Sequence, residues 1–144
     1  FNRLTSYCGK WIKHCGWYPD IKLRLWDRRK GTWKGVNPHD CFEMEKGIKS
    51  IHLTGDLLHY SYYTIEEHIK QINYFTDIAA KAYALKGAKP SLFKVFASAK
   101  FMFFKTYFLK LGILDGYYGW IISKNSAHAT FLKYSKIREL QKEN

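Results

Sequence analysis

The hydrophobic pattern changes period once, at Thr64, and that change limits the possible folds more than any other feature. Before it, apolar residues tend to recur at every second position, in short runs broken by glycine, proline and charged turns. After it they recur every three or four positions. Thr64-Ile65-Glu66-Glu67 reads as a capping box, in which the hydroxyl accepts from the N3 amide and Glu67 accepts from the cap amide. Strands first and helices second predict an α+β chain of short, mostly antiparallel strands followed by three helices. The expected division is a β-rich segment over 1–63 and a helical segment over 64–144, within one structural unit.

The strand signals are uneven in strength. Residues 2–7 and 10–14 flank a break at Cys8-Gly9. In 21–26 the pattern alternates, with Ile21, Leu23 and Leu25 on one side and Lys22, Arg24 and Trp26 on the other. A charged turn at Arg28-Arg29-Lys30-Gly31 predicts a hairpin that returns over 32–36. Further strands are expected at 41–45, 48–53 and 57–62. With no crossover helix among them, antiparallel pairing is the expectation.

Ile65, Ile69, Ile72, Phe75, Ala79 and Ala82 predict the buried stripe of the first helix, which Gly87 stops. A second, ring-rich helix is expected over 90–111, with Pro90 in its first turn and Gly112 at its end. Asp115-Gly116-Tyr117-Tyr118-Gly119 reads as a turn. A third helix follows over 120–141, with Ile121, Phe131, Tyr134, Ile137 and Leu140 as its apolar stripe.

Charge and ring content narrow the partners. The formal net charge is +12 and 18% of residues are aromatic, a balance that suits anionic partners and stacking surfaces. The second helix carries Lys94, Lys100, Lys105 and Lys110 among its rings and no acid. Such a helix serves either as a core element or as a surface whose lysine stems snorkel to a headgroup layer. The same lysines exclude it as a membrane span. Cys8, Cys15 and Cys41 form no paired framework, which favours a reduced cytosolic setting, and with His14 they match no zinc-ligand spacing.

Several residues could carry chemistry. Asp40, beside His39 on a turn after Pro38, offers a general base, but an Asx turn accounts for the same residues. Arg24 and Arg28 carry the fork geometry that suits phosphate oxygens, although Arg28 also fits a solvated hairpin tip. His59 offers a neutral imidazole to a metal, or a core histidine satisfied by hydrogen bonds.

Taken in order, Trp17-Tyr18-Pro19-Asp20, Arg24-Leu25-Trp26-Asp27-Arg28, Gly31-Thr32-Trp33 and Pro38-His39-Asp40 span the first part of the chain. Gly55-Asp56-Leu57-Leu58-His59-Tyr60-Ser61-Tyr62, Lys110-Leu111-Gly112, Asp115-Gly116-Tyr117-Tyr118-Gly119 and Phe131-Leu132-Lys133-Tyr134 continue the series. This ordered set resembles the C-terminal half of bacterial family 2 glycosyltransferases of the kind that build lipopolysaccharide core and surface polysaccharide. The resemblance implies a GT-A type α/β fold of which only the acceptor-binding half is present. The Asp-x-Asp step that holds the cation and sugar nucleotide in such enzymes does not occur in these residues.

The resemblance also implies roles. Asp40 becomes the base that deprotonates the acceptor hydroxyl in an inverting transfer, although the family often carries the longer Glu there. Arg24 and Arg28 become donor phosphate contacts. Trp17, Tyr18, Trp33 and His39 become acceptor contacts, and His59 a contact to the metal or diphosphate. The implied cofactor is a divalent cation, Mg or Mn, bound in the full-length enzyme and not tightly held by this part alone. The implied partners are a nucleotide sugar and a glycolipid or saccharide acceptor, at a cytoplasmic site peripheral to the inner membrane. Self-association through uncovered strand edges is a further expectation, and transfer by this part alone is not expected. The competing reading is a non-catalytic basic module that binds an anionic membrane surface or, less in keeping with the resemblance, nucleic acid.

Overall fold

The computed structural model describes residues 1–35 and 41–142. Six short strands precede three helices: β1 (Asn2–Tyr7), β2 (Lys10–Ile12), β3 (Asp20–Ile21), β4 (Gly31–Lys34), β5 (Cys41–Met44) and β6 (Asp56–Tyr62), then α1 (Ile65–Leu85), α2 (Leu92–Phe104) and α3 (Gly116–Leu140). The chain is α+β, with strands first and helices second.

β1 is the axis of the main sheet. Its Thr5–Tyr7 half pairs antiparallel with β2 and its Asn2–Arg3 end pairs antiparallel with β3. The β1–β2 hairpin closes through Cys8 and Gly9, both at positive φ (49° and 82°). That conformation matches the twist of a two-residue hairpin. On the other edge β6 runs parallel to β1, a departure from the antiparallel expectation. A parallel neighbour needs a long crossover, which residues 8–55 supply, with no helix among the described residues of that span.

Two predicted strands are absent. Of 21–26, only Ile21 lies in a sheet, and Leu25 is 78% exposed although the alternation assigned it to a buried face. Residues 48–53 form no strand, with Ile51 also exposed. The hairpin also differs, because β4 pairs with β5 in a separate two-stranded sheet rather than with 21–26. Alternation fixes a buried face only where a second layer covers it, and Leu25 and Ile51 lie open on this part of the chain.

The capping box at Thr64 is formed. Glu67 donates its amide to the Thr64 hydroxyl at 3.1 Å and accepts from the Thr64 and Tyr63 amides at 3.2 and 2.7 Å. The buried stripe of α1 is rotated from the apolar positions and runs through His68, Ile72, Thr76 and Ala80. Polar side chains can occupy that stripe because α3 satisfies them. Asn125 reaches His68 at 3.0 Å, and Lys136 donates to Thr76 at 2.9 Å.

α2 starts after a Ser91 cap and runs into a π-helical turn, Lys105–Leu109, and then a 3-10 turn, Gly112–Asp115. The helix α3 starts at Gly116, so the predicted turn at 115–119 is largely its first turn. α3 packs against both α1 and α2. It approaches the 3-10 turn closely: a Cβ on Gly119 would overlap the Gly112 carbonyl, and one on Gly112 would crowd the Cys15 thiol and Ser123 hydroxyl.

The core joins the strands to the helices. Tyr7, Ile12, Cys15 and Ile122 are buried together, with Trp17, Tyr62, Ile65 and Tyr118 packed around them. The Tyr7 ring meets Trp17, Tyr62, His68 and Tyr118 edge-on at 5.3–5.8 Å. Each such pair contributes about 0.5–1.5 kcal/mol beyond the area it buries. A second tie is the buried Asp115 carboxylate, which accepts the His14 amide at 2.8 Å and lies 3.1 Å from the His14 ring.

Candidate functional site

A cleft of about 370 Å³ opens where β1 and β6 leave the aromatic core. Arg3 and Thr5 line it from β1, His59, Ser61 and Tyr62 from β6, Gly16 and Trp17 from the loop between β2 and β3, and Asp20 and Lys22 from the sheet edge. The pairing explains the arrangement. Thr5 lies beside His59 in register, and residues two apart on a strand share a face, which sets Arg3 with Thr5 and His59 with Ser61. The register then shifts at Ser6/Tyr7, so that Tyr62 pairs with Tyr7 in the core. One irregularity thus divides β6 into a cleft-lining part and a packed end.

The cleft is cationic. Arg3 and Lys22 both pair with the single lining carboxylate, Asp20, with Lys22 at 3.2 Å. The buried Arg3 Nε has no hydrogen-bond partner among the described residues. A buried donor left unpaired costs free energy unless something accepts from it. Burial, followed by the Arg3 and Arg24 charges, lowers the His59 pKa from its ordinary value, against a smaller opposing effect from Asp20. His59 is therefore a neutral imidazole at neutral pH, able to donate one hydrogen bond and accept one.

These side chains fit an anion rather than a cation. Among the described lining residues Asp20 is the one carboxylate and is already shared by two cationic groups, and His59 stands in the field of two arginines. Among the described residues no group of three or more His, Cys, Asp or Glu side chains is placed to hold a metal ion. The described residues of the cleft therefore do not form a ligand set for the divalent cation that the family resemblance implies.

The other predicted site residues are dispersed. Trp17 lines the cleft with one part of its surface and meets Tyr7, Tyr62 and His68 with the rest, so it is a half-buried wall rather than an open platform. Tyr18 follows it and donates to Asp56 at 3.2 Å. Arg24 borders a separate hollow of about 450 Å³ with Ile21, Leu23, Met44 and Ile51, close enough to His59 to affect its titration. Arg28 lies in the exposed turn that the Asp27–Arg29 ion pair stabilises. Trp33 belongs to a ring cluster on the small sheet, edge-on to Trp26 and Phe42 at 5.8 Å. His39 and Asp40 lie outside the described residues.

Sequence reasoning missed Arg3, Lys22 and His68. Arg3 and Lys22 become significant only through the β1–β3 pairing, which brings their side chains to one carboxylate. His68 carried no local signal beyond its helical position. It sits 3.0 Å from both the Tyr7 hydroxyl and the Asn125 amide, and burial lowers its pKa to about 4.

The chain is similar to proteins named as uncharacterized glycosyltransferases. It is 33% identical over 124 residues to one from Rickettsia bellii, covering 81% of this chain and 42% of that protein. It is 27% identical over 125 residues to one from Rickettsia typhi, covering 82% and 43%. A third, from Rickettsia felis, is 32% identical over 123 residues, covering 81% and 44%. No protein-family model and no solved structure matches the chain. The likeness to glycosyltransferases thus extends over most of the chain, while the chain spans less than half the length of these relatives.

Proposed function

We propose that this chain is the acceptor-binding half of an inverting, family 2 glycosyltransferase of GT-A type. It would move a sugar from a nucleotide sugar to a lipopolysaccharide or polysaccharide acceptor. The observation that carries the reading is the likeness, over 81% of the chain, to a protein named as a glycosyltransferase. The cleft supports it with matching chemistry. An indole wall suits a sugar ring, and cationic donors with an unpaired Nε suit phosphate oxygens.

In this scheme Asp40 removes the proton from the acceptor hydroxyl as that oxygen attacks the anomeric carbon of the donor. The bond from that carbon to the diphosphate breaks on the opposite face, so the configuration inverts. Negative charge builds on the leaving diphosphate, and fixed cations placed where that charge develops lower the barrier. Arg3 and Lys22 supply such charge from the cleft, and Arg24 and Arg28 are assigned the same role from the segment beyond β3. His59 donates a hydrogen bond to an anionic oxygen while remaining neutral. Trp17, Tyr18, Trp33 and His39 are assigned to the acceptor. The chain alone transfers no sugar in this scheme, because the nucleotide-binding half is a separate requirement.

Titration with inorganic pyrophosphate, followed by NMR at the Trp17 indole and the His59 ring, tests the cleft directly. Both signals shift on binding, the effect weakens as salt is added, and Arg3→Met abolishes it. Pyrophosphate that leaves both signals unmoved in the wild-type chain would remove the cleft from the proposal.

A further inference from the structure

α2 presents its rings outward. Val95 and Thr106 face α3 and are buried, whereas Phe93, Phe101, Phe104 and Phe108 on the other side are 47–82% exposed. Phe104 and Phe108 lie against each other at 5.4 Å, joining the C-terminal part of the stripe. It runs on into Leu111 and Leu114, both at least half exposed. Leu111 holds φ at 53°, a left-handed conformation that strains a branched side chain and that glycine would adopt without cost. Strain kept at an exposed leucine points to use of the side chain.

The charges around this stripe have one sign. Lys94, Lys100, Lys105 and Lys110 are interspersed with the rings in sequence, the Lys94 ammonium lying over the Tyr134 ring and the Lys110 stem beside Gly16, and no acid occurs from Ile78 to Leu114. The next acid, Asp115, is buried and engaged by His14. The cations are all lysine, a residue depleted from protein–protein interfaces but favoured beside rings at a bilayer surface. Among the described residues no helix is long and apolar enough to cross a membrane.

We propose that the outward stripe of α2 and the turn after it dock on the headgroup layer of an anionic lipid bilayer. The rings enter the interface and the lysine stems reach the lipid phosphates. The surface also lies next to the cleft. The Lys110 carbonyl accepts the Cys15 amide at 2.9 Å, and the Lys110 side chain lies alongside Gly16, which lines the cleft. A docked stripe therefore brings the cleft to the bilayer surface, within reach of a lipid-linked acceptor. Docking itself requires no sugar transfer, so it stands or falls separately from the enzymatic reading.

Flotation of the purified chain with phosphatidylcholine vesicles, with and without phosphatidylglycerol, tests this. The chain floats with the anionic vesicles only, and added salt releases it. Phe104→Ser together with Phe108→Ser reduces the bound fraction about tenfold with an unchanged circular dichroism spectrum. Lys100→Ser with Lys105→Ser reduces it as well while leaving every ring in place. Absence of flotation with anionic vesicles would overturn the proposal, as would full binding by the folded lysine variant. A wild-type dimer that the phenylalanine variant converts to a monomer would reassign the stripe to contact between copies.

Discussion

His68 shows how one buried group sets a pH limit. Its imidazole lies among the Tyr7 hydroxyl, the Asn125 amide and the Tyr62 ring, and takes up a proton only at about pH 4. An unfolded histidine does so near pH 6.5. Between those values the unfolded chain holds more protons, so folding is disfavoured as pH falls. The contribution is fully present above about pH 6.5, and roughly 3 kcal/mol of it is lost by about pH 4. Thermal melts between about pH 7 and pH 4.5 should show a falling Tm, and His68→Gln should flatten that slope while starting from a lower Tm. Parallel slopes for the two proteins would contradict the assignment. The His59 pKa is lowered in the same direction, by burial and then by the Arg3 and Arg24 charges. Arg3→Met removes a charge that lowers its pKa, so NMR should show the ring titrating at a higher pH, and an unchanged titration would separate the two residues.

At the scale of elements, legibility followed local chemistry. The capping box at Thr64 needs only four consecutive residues, and it forms as the sequence predicts. The Cys8-Gly9 break closes a hairpin for the same reason. The strand predicted at 21–26 failed because alternation reports a possible burial face and not a covering layer. The rotated stripe of α1 was hidden because its polar members depend on Asn125 and Lys136, far along the chain. The contact between Gly112 and Gly119 was equally hidden, since nothing local marks a backbone approach. Gly119→Ala should drive a methyl into the Gly112 carbonyl and cost about 3 kcal/mol or more, read as a loss of Tm. Thr64→Ala should cost about 1 kcal/mol through loss of the cap. A Gly119→Ala protein with wild-type Tm would show that the approach is looser than described.

For the whole molecule, the core that joins Tyr7, Ile12 and Cys15 to Ile122 also fixes the cleft, because Trp17 and Tyr62 belong to both. Of the residues singled out from the sequence, Trp17 and His59 line the cleft, whereas Tyr18, Trp33 and Arg24 do not. The part that could not be read from sequence, Arg3 with Lys22, arises from strand pairing between distant residues. The role of Asp40 rests on the family resemblance, and with it stands the proposal that this chain supplies the base for an inverting sugar transfer. That proposal is tested by turnover of sugar nucleotide onto acceptor in a protein that joins this chain to the nucleotide-binding half the proposal requires, comparing wild type with Asp40→Asn. Asp40→Asn should lower kcat by about 100-fold or more with an unchanged fold, and the wild-type product should carry an inverted anomeric configuration. Transfer by Asp40→Asn at close to the wild-type rate would contradict the proposal.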